Sequence, residues 1–234
     1  MNRLRVGAQS LLWLLPSSKV KNWLLRRVGH RIHPTAIARS CLVINVNMFS
    51  MGPGSRIGGW NAIKNLHEVS LGTDATIGRF NTITANQVFA RLYQGGARLT
   101  LGAHSYVTSR HRLDCSGSVH VGEYASVAGH STTILTHSID LRRDAQAAYP
   151  VTIGERSFLG TSCILLGGAE MPADSVLGAG SVLTRSREVR APGLWAGVPA
   201  THRGPTEGSW FTRSVTGTRR VYIPATGETV EDAF

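Results

Sequence analysis

Over residues 151–186 one aliphatic side chain returns at every sixth position, in the order Ile153, Leu159, Leu165, Met171, Leu177 and Leu183. Gly154, Gly160 and Gly178 follow three of these directly, and a small residue (Ser157, Cys163, Ala169, Ser175, Ser181) stands four places after each of the first five. A helix needs apolar residues three and four apart, and a half-buried strand needs them at alternate positions, so a period of six is neither. It suits a unit of one short strand and one tight corner, with one aliphatic and one small residue turned inward per unit. Three such units, eighteen residues, bring the chain back to its starting side and make one triangular coil. Successive coils then stack as parallel strands about 4.8 Å apart, and the glycines and small residues let backbone pass close to backbone.

The same period runs upstream with interruptions. It begins raggedly at Ile32, and Met51, Ile57, Ile63 and then Leu71, Ile77, Ile83 keep the spacing, with Gly52, Gly58, Gly72 and Gly78 behind four of them. It lapses over 84–100, TANQVFARLYQGGARLT, which predicts a small excursion ended by Gly95 and Gly96. Leu101, Val107, Leu113 and Val119 restore it, and a shift of two to Val121 and Val127 predicts an inserted bulge or loop. Residues 138–150, SIDLRRDAQAAYP, follow no period and predict a loop extruded from the coil, where a rigid scaffold tends to carry a site. After Ser186 the coils stop. The tail, 205–234, holds Trp210-Phe211 and Val221-Tyr222-Ile223, and predicts a hairpin around Gly217 that covers the last coil or reaches a neighbouring subunit.

Ahead of the coils, residues 1–30 mix Leu11–Leu15 and Trp23, Leu24, Leu25 with Arg3, Arg5, Lys19, Lys21, Arg26 and Arg27, interrupted by Pro16. This predicts two short helical pieces, the second starting after Ser17-Ser18 as N-cap. The segment reads first as a cap over the open first coil, a role compatible with lying on an anionic bilayer. Leu11–Leu15 is too short for a secretory signal and no small-residue cleavage site follows it before Lys19. No stretch approaches the ~20 apolar residues of a membrane-spanning helix. The expected organisation is a helical cap (1–30), one repeat domain (31–204) and a tail (205–234). Twenty-six glycines in 234 residues suit a turn-dense solenoid. A formal charge of +11 points to anionic partners: coenzyme A phosphates, an acidic sugar or a membrane surface. Nucleic acid is set aside, because no zinc-finger, RNA-binding or helix-turn-helix signature is present. Three cysteines cannot all pair, and Cys163 sits at an inward corner, so they are read as buried free thiols of a reducing, cytoplasmic compartment.

The stretch THSID (136–140), the irregular segment to Pro150, and then PVTIG, FLGT, LGAGSVLTRS and AGVPA (196–200) resemble the left-handed β-helix acyltransferases that use acetyl-CoA or another acyl-CoA. Within that family they look like the sugar and polysaccharide O-acetyltransferases. The resemblance spans about residues 30–204. It implies an all-β, left-handed parallel β-helix with a short helical cap and a tail; the hand comes from the resemblance alone. It also implies a homotrimer with three sites between neighbouring subunits, and direct transfer of an acyl group, acetyl foremost, from acyl-CoA to a sugar or glycan hydroxyl without a metal.

Acyl transfer to a hydroxyl needs a base of near-neutral pKa, which histidine supplies. Of nine histidines, His111, His130 and His137 escape the coil ends, the linkers and the outward strand positions. His137 is favoured because it stands where a coil ends and the extruded loop begins, and the resemblance places a catalytic histidine there. Asp140 is the first choice to orient its ring, with Asp114, Asp144 and Glu123 as rivals. By resemblance to a W-I-G-S-like sequence, read here as Phe158-Leu159-Gly160-Thr161, the Thr161 amide is the candidate oxyanion donor. For the coenzyme the resemblance selects Gly160, Thr161, Gly178, Ala179, Ser181, Thr184, Arg185 and Arg203, the glycines and Ser181 being equally explicable as plain repeat. For the acceptor, Arg110, His111 and Asp114 are the candidates, an arginine suiting a carboxylate or phosphate. Two other functions stay open: metal-dependent hydration of carbon dioxide, which needs three converging histidines, and a non-catalytic scaffold.

Overall fold

The computed structural model describes residues 3–231; the ends of the chain, 1–2 and 232–234, lie outside the described residues. Its body is a triangular parallel coil with three sheet faces. The first face starts at Arg31–Ile32 and runs through Met48–Met51, Glu68–Leu71, Arg98–Leu101, Val119–Val121, Val151–Ile153 and Glu170–Met171. The second starts at Ile37–Ala38 and the third at Leu42–Ile44, each gaining one strand per coil in parallel register. Side chains facing inward form continuous ladders. On the third face the ladder is Val43, Ile63, Ile83, Leu113, Ile134, Leu165 and Leu183, and on the second Ala38, Ile57, Ile77, Val107, Val127, Leu159 and Leu177, all buried. The prism is therefore filled along its axis.

The coil differs from a uniform eighteen-residue repeat. Only the last full turn has that length, Ile164 pairing with Val182. Leu42 pairs with Ala62 and Ala62 with Thr82, a step of twenty. The extra length lies partly on the first face, where Phe49 and Met51, Val69 and Leu71, and Leu99 and Leu101 point inward in pairs at alternate positions. The shift from Val119 to Val121 has the same origin. Both belong to one strand, both are buried, and no bulge is inserted there. The lapse over 84–100 holds a short helix α3, Gln87–Leu92, capped by the Asn86 side chain accepting from the Val88 amide. The segment after Thr136 is not an irregular loop. His137–Asp140 pairs antiparallel with Ala145–Ala148 and stands off the coil as a hairpin.

Helix α1 (Arg3–Leu14) and helix α2 (Lys19–Arg27) close the first coil. Trp13 is fully buried and packs on Phe49 at 4.2 Å between ring centroids. Lys21 is buried too, and its ammonium donates to the carbonyls of Trp13, Leu15 and Arg39 at 2.9, 2.8 and 3.1 Å, tying the end of α1 to the coil. Burial lowers its pKa to about 8 despite the opposing field of Cys41. At the other end Leu194–Gly197 extends the second face, and Ala200–Gly204 returns antiparallel beside it, so this pair closes the last coil. The tail then runs back over earlier coils. Trp210 meets Phe158 edge-on at 5.7 Å, Arg156 donates to the Phe211 and Arg213 carbonyls, and Thr216 reaches His104 at 3.2 Å. The tail hairpin pairs Arg220–Ile223 with Glu228–Glu231, so its turn lies beyond Gly217.

Candidate active site

Two corners of the prism carry the candidate residues. The corner between the third and first faces holds, from coil to coil, Asn45–Asn47, Asn65–His67, the α3 excursion, Cys115–Ser118 and Thr136 with its hairpin. The corner between the second and third faces holds Gly59-Trp60, Arg79-Phe80, Ser109-Arg110, His130-Ser131, Thr161-Ser162 and Ala179-Gly180, joined by backbone bonds from each coil to the next.

At the first of these corners Asp114 ends the strand Arg112–Asp114, one coil below the strand Thr133–Leu135 that leads to His137. Its Oδ2 accepts from His137 Nδ1 at 2.8 Å, from the His137 amide at 3.0 Å, and from the Thr136 amide and hydroxyl at 2.9 and 2.8 Å. Its Oδ1 takes the Ser116 amide and hydroxyl. Burial alone would raise the Asp114 pKa, but the donors from Ser116, His137 and Thr136, with the neighbouring imidazole, outweigh it and hold the carboxyl below its usual value. An ionised Asp114 can only accept, so His137 Nδ1 carries a proton, and in the neutral ring the lone pair is then on Nε2; the side chain is about one third exposed. Phe89 of α3 lies 5.8 Å from that ring, and Asn86 donates to Gln146 of the hairpin at 3.3 Å, so excursion and hairpin flank the imidazole from two sides. The coils are close here. A Cβ on Gly117 would stand 2.4 Å from the Tyr149 carbonyl oxygen at the hairpin's foot.

Asp140 is elsewhere. Its carboxylate is held by the Arg143 guanidinium and by the Arg142 and Arg143 amides within the hairpin turn, which lowers its pKa. It makes no bond to the His137 ring, and the expectation that it orients the base is corrected to Asp114. His111 is also corrected. It lies sealed inside the other corner, 1 % exposed, with Nδ1 accepting from the Thr132 amide at 3.2 Å and Nε2 2.6 Å from the Thr108 hydroxyl. The amide bond to Nδ1 places the proton on Nε2, and burial followed by the field of His130 lowers the pKa to about 4. It therefore cannot touch an acceptor. Arg110 is on that same corner, its guanidinium 5.9 Å from the Phe80 ring, so Arg110 and Asp114 do not form one acceptor site within a chain.

Gly160, Thr161, Gly178 and Ala179 stack at the corner between the second and third faces. A Cβ on Gly160 would stand 2.7 Å from the Ala179 nitrogen. The Thr161 hydroxyl donates to the His130 carbonyl at 2.9 Å and accepts its amide at 3.2 Å, while the Thr161 amide has no protein acceptor among the described residues. Ser181 is buried and accepts from the Gly197 amide at 3.1 Å, a role inside the wall. Arg203 joins this group, lying over Gly197. Thr184 and Arg185 do not. They stand at the end of the third face, with Arg185 4.6 Å over the Tyr149 ring, on the side of His137. His137 and Thr161 thus occupy different corners of one chain. Among the described residues no three His, Cys, Asp or Glu side chains converge as a metal site needs.

Sequence reasoning missed Phe89 and a polar cleft of about 280 Å³ on the far side of α3, lined by Asn45, Asn47, Asn65, His67, Gln87 and Arg91 among others. A usable signal was present: Asn45 and Asn65 stand twenty residues apart, one coil, and bond to each other at 3.1 Å.

Residues 150–185 match the hexapeptide repeat of succinyl-transferase. No curated protein matches the sequence. Two crystal structures of variants of AntD, an N-acyltransferase from Bacillus cereus, in complex with dTDP-4-amino-4,6-dideoxyglucose and coenzyme A, overlay on this chain. One covers 68% of this chain and 83% of its own at 12% identity and a TM-score of 0.52. The other covers 83% and 92% at 12% identity and a TM-score of 0.51. The hexapeptide-repeat acetyltransferase VCA0836 from Vibrio cholerae aligns over 88% of this chain and 91% of its own, at 14% identity and a TM-score of 0.44. The chain carries a hexapeptide repeat over residues 150–185, and its fold is the left-handed parallel β-helix.

Proposed function

We propose that this protein is an acyl-CoA-dependent acyltransferase that moves an acetyl group from acetyl-CoA to a hydroxyl of a sugar or glycan. The observation that carries the reading is the His137–Asp114 pair, an imidazole with its Nδ1 fixed by a carboxylate and its ring about one third exposed beside an aromatic ring. His137 Nε2 takes the hydroxyl proton as the oxygen attacks the thioester carbon. The negative charge of Asp114 lies beside the ring that receives it. The intermediate's oxygen is held by the Thr161 amide, and collapse expels the coenzyme A thiolate, which recovers the proton from His137. Supporting relatives are the AntD complexes, which hold coenzyme A together with a nucleotide-linked sugar.

A single chain keeps His137 and Thr161 on separate corners, so the reading needs a second copy. In a homotrimer the corner of Thr161 on one protomer meets the corner of His137 on the next, and a site lies at each of three boundaries. Exposed apolar side chains fit that contact: Trp60 and Phe80 on one corner, and Leu92, Ile139 and Leu141 on the other. The pantetheine arm runs past Gly160, Gly178 and Ala179, with Arg203 for the phosphates, while Arg185 approaches the same coenzyme from the other side of the boundary. The cleft beside α3 receives the rest of the acceptor, its amides pairing with hydroxyls that both donate and accept. Work in the cytoplasm fits the three free buried cysteines.

Isothermal titration with acetyl-CoA at two salt concentrations in chelator tests the reading. Binding that weakens with salt and survives the chelator is expected; a folded protein that binds no acetyl-CoA contradicts it.

A further inference from the structure

The net charge of the chain is concentrated at one end. Residues 1–67 contain ten Lys and Arg and no Asp or Glu, whereas the remaining 167 residues contain fifteen basic and fourteen acidic residues. Nearly the whole net charge of +11 therefore belongs to the two helices and the first two coils. Lys19, Arg26, Arg27, Arg31, Arg39 and Arg56 are exposed there, and among the described side chains only Lys21 is sealed in. The catalytic pair and the coenzyme corner, several coils away, use none of them.

The same end exposes apolar surface in helical order. Leu11 and Leu14, with Leu15 one residue past α1, lie three and four positions apart and are 69, 47 and 40 % exposed, on the side opposite buried Trp13. On α2, Val20 and Trp23 are exposed and Arg27 lies 4.9 Å over the Trp23 ring, while Lys21, Asn22 and Leu25 face the coil. Capping the coil accounts for the inner faces alone, since an outer face serving only as a lid would be polar. Aliphatic and indole side chains interleaved with cations on short helices are the chemistry of a segment lying in a headgroup layer, with apolar groups sunk among acyl chains and cations among phosphates. Nucleic acid offers phosphates but nothing to take up Leu11, Leu14, Leu15 and Val20. No described helix is long and apolar enough to cross a membrane.

We propose that the end of the molecule formed by α1 and α2 docks on an anionic lipid bilayer, with the coil axis leading away from the surface. The full chain should pellet with vesicles of equal phosphatidylglycerol and phosphatidylcholine at least tenfold more than with phosphatidylcholine alone, and less so in high salt. Charge near an anionic surface contributes about fivefold in partition per basic residue. Lys19→Glu with Arg27→Glu, and separately Leu11→Glu with Trp23→Glu, should each lose at least tenfold in pelleting. Lys19→Ala and Trp23→Ala serve where melting shows that a reversed-charge variant fails to fold. Wild-type chain that ignores phosphatidylglycerol overturns the proposal, and so does pelleting that no folded variant weakens. Binding to a 20-bp DNA duplex with none to vesicles overturns it in favour of nucleic acid.

Discussion

His111 and His137 stand at neighbouring corners of the prism about one coil apart, and each imidazole is pinned through Nδ1. His111 accepts a backbone amide there and is walled in, whereas His137 donates to Asp114 and keeps about a third of its side chain exposed. One histidine is spent on closing a corner that other coils close with Cys41, Asn61, Asn81, Thr132, Cys163 and Ser181. The other stands outside the wall on a hairpin no coil needs. The difference shows that a histidine's position relative to the wall, rather than its closeness to a loop in sequence, decides whether it can do chemistry.

Replacing each histidine should separate the two roles. His137→Ala is expected to lower turnover by about a thousandfold, within the range of general-base catalysis, with acetyl-CoA binding and melting temperature nearly unchanged. Steady-state rates beside calorimetry check this. Asp114→Asn should lower turnover by about ten- to a hundredfold, because the Asn amide can present a donor to Nδ1 and favour the other tautomer. It should also lower the melting temperature, since Asp114 binds two consecutive coils.

His111 should betray itself through stability. Its folded pKa of about 4 lies below the unfolded value of 6.5, so its contribution is complete above pH 6.5 and is lost as pH falls through about 4. The expected loss is on the order of 3 kcal/mol per chain, read from denaturant midpoints across that range, and His111→Gln should flatten the slope. The smallest effect belongs to Asp140→Asn. Turnover should change less than about twofold, since the carboxylate serves only its own exposed hairpin turn.

The C-terminal coils were legible because each inward aliphatic, from Ile153 to Leu183, kept its place six residues after the last. His137 stood out as a candidate because the period broke right after it. The partner of His137 was not. Asp140 is three residues away in sequence, but the hairpin carries it outward, whereas Asp114 is brought beneath by the stacking of Leu113 on Ile134. That register depends on a coil of twenty-one residues, and an eighteen-residue coil cannot anticipate it. Helix α3 was hidden for a similar reason. Gln87–Leu92 is too short to show a helical period, and Asn86 as its cap becomes meaningful only once the coil has been interrupted. Thr161 is a candidate on local pattern, yet its distance from His137 around the prism could not be read before the corners were assigned.

The most direct test is release of coenzyme A thiol from acetyl-CoA in the presence of a panel of sugars and oligosaccharides, run on wild-type protein and on His137→Ala at matched acetyl-CoA saturation. Acceptor-dependent release by the wild type that disappears in a folded, coenzyme-binding His137→Ala protein is the predicted result. Release by His137→Ala at the wild-type rate would contradict the account.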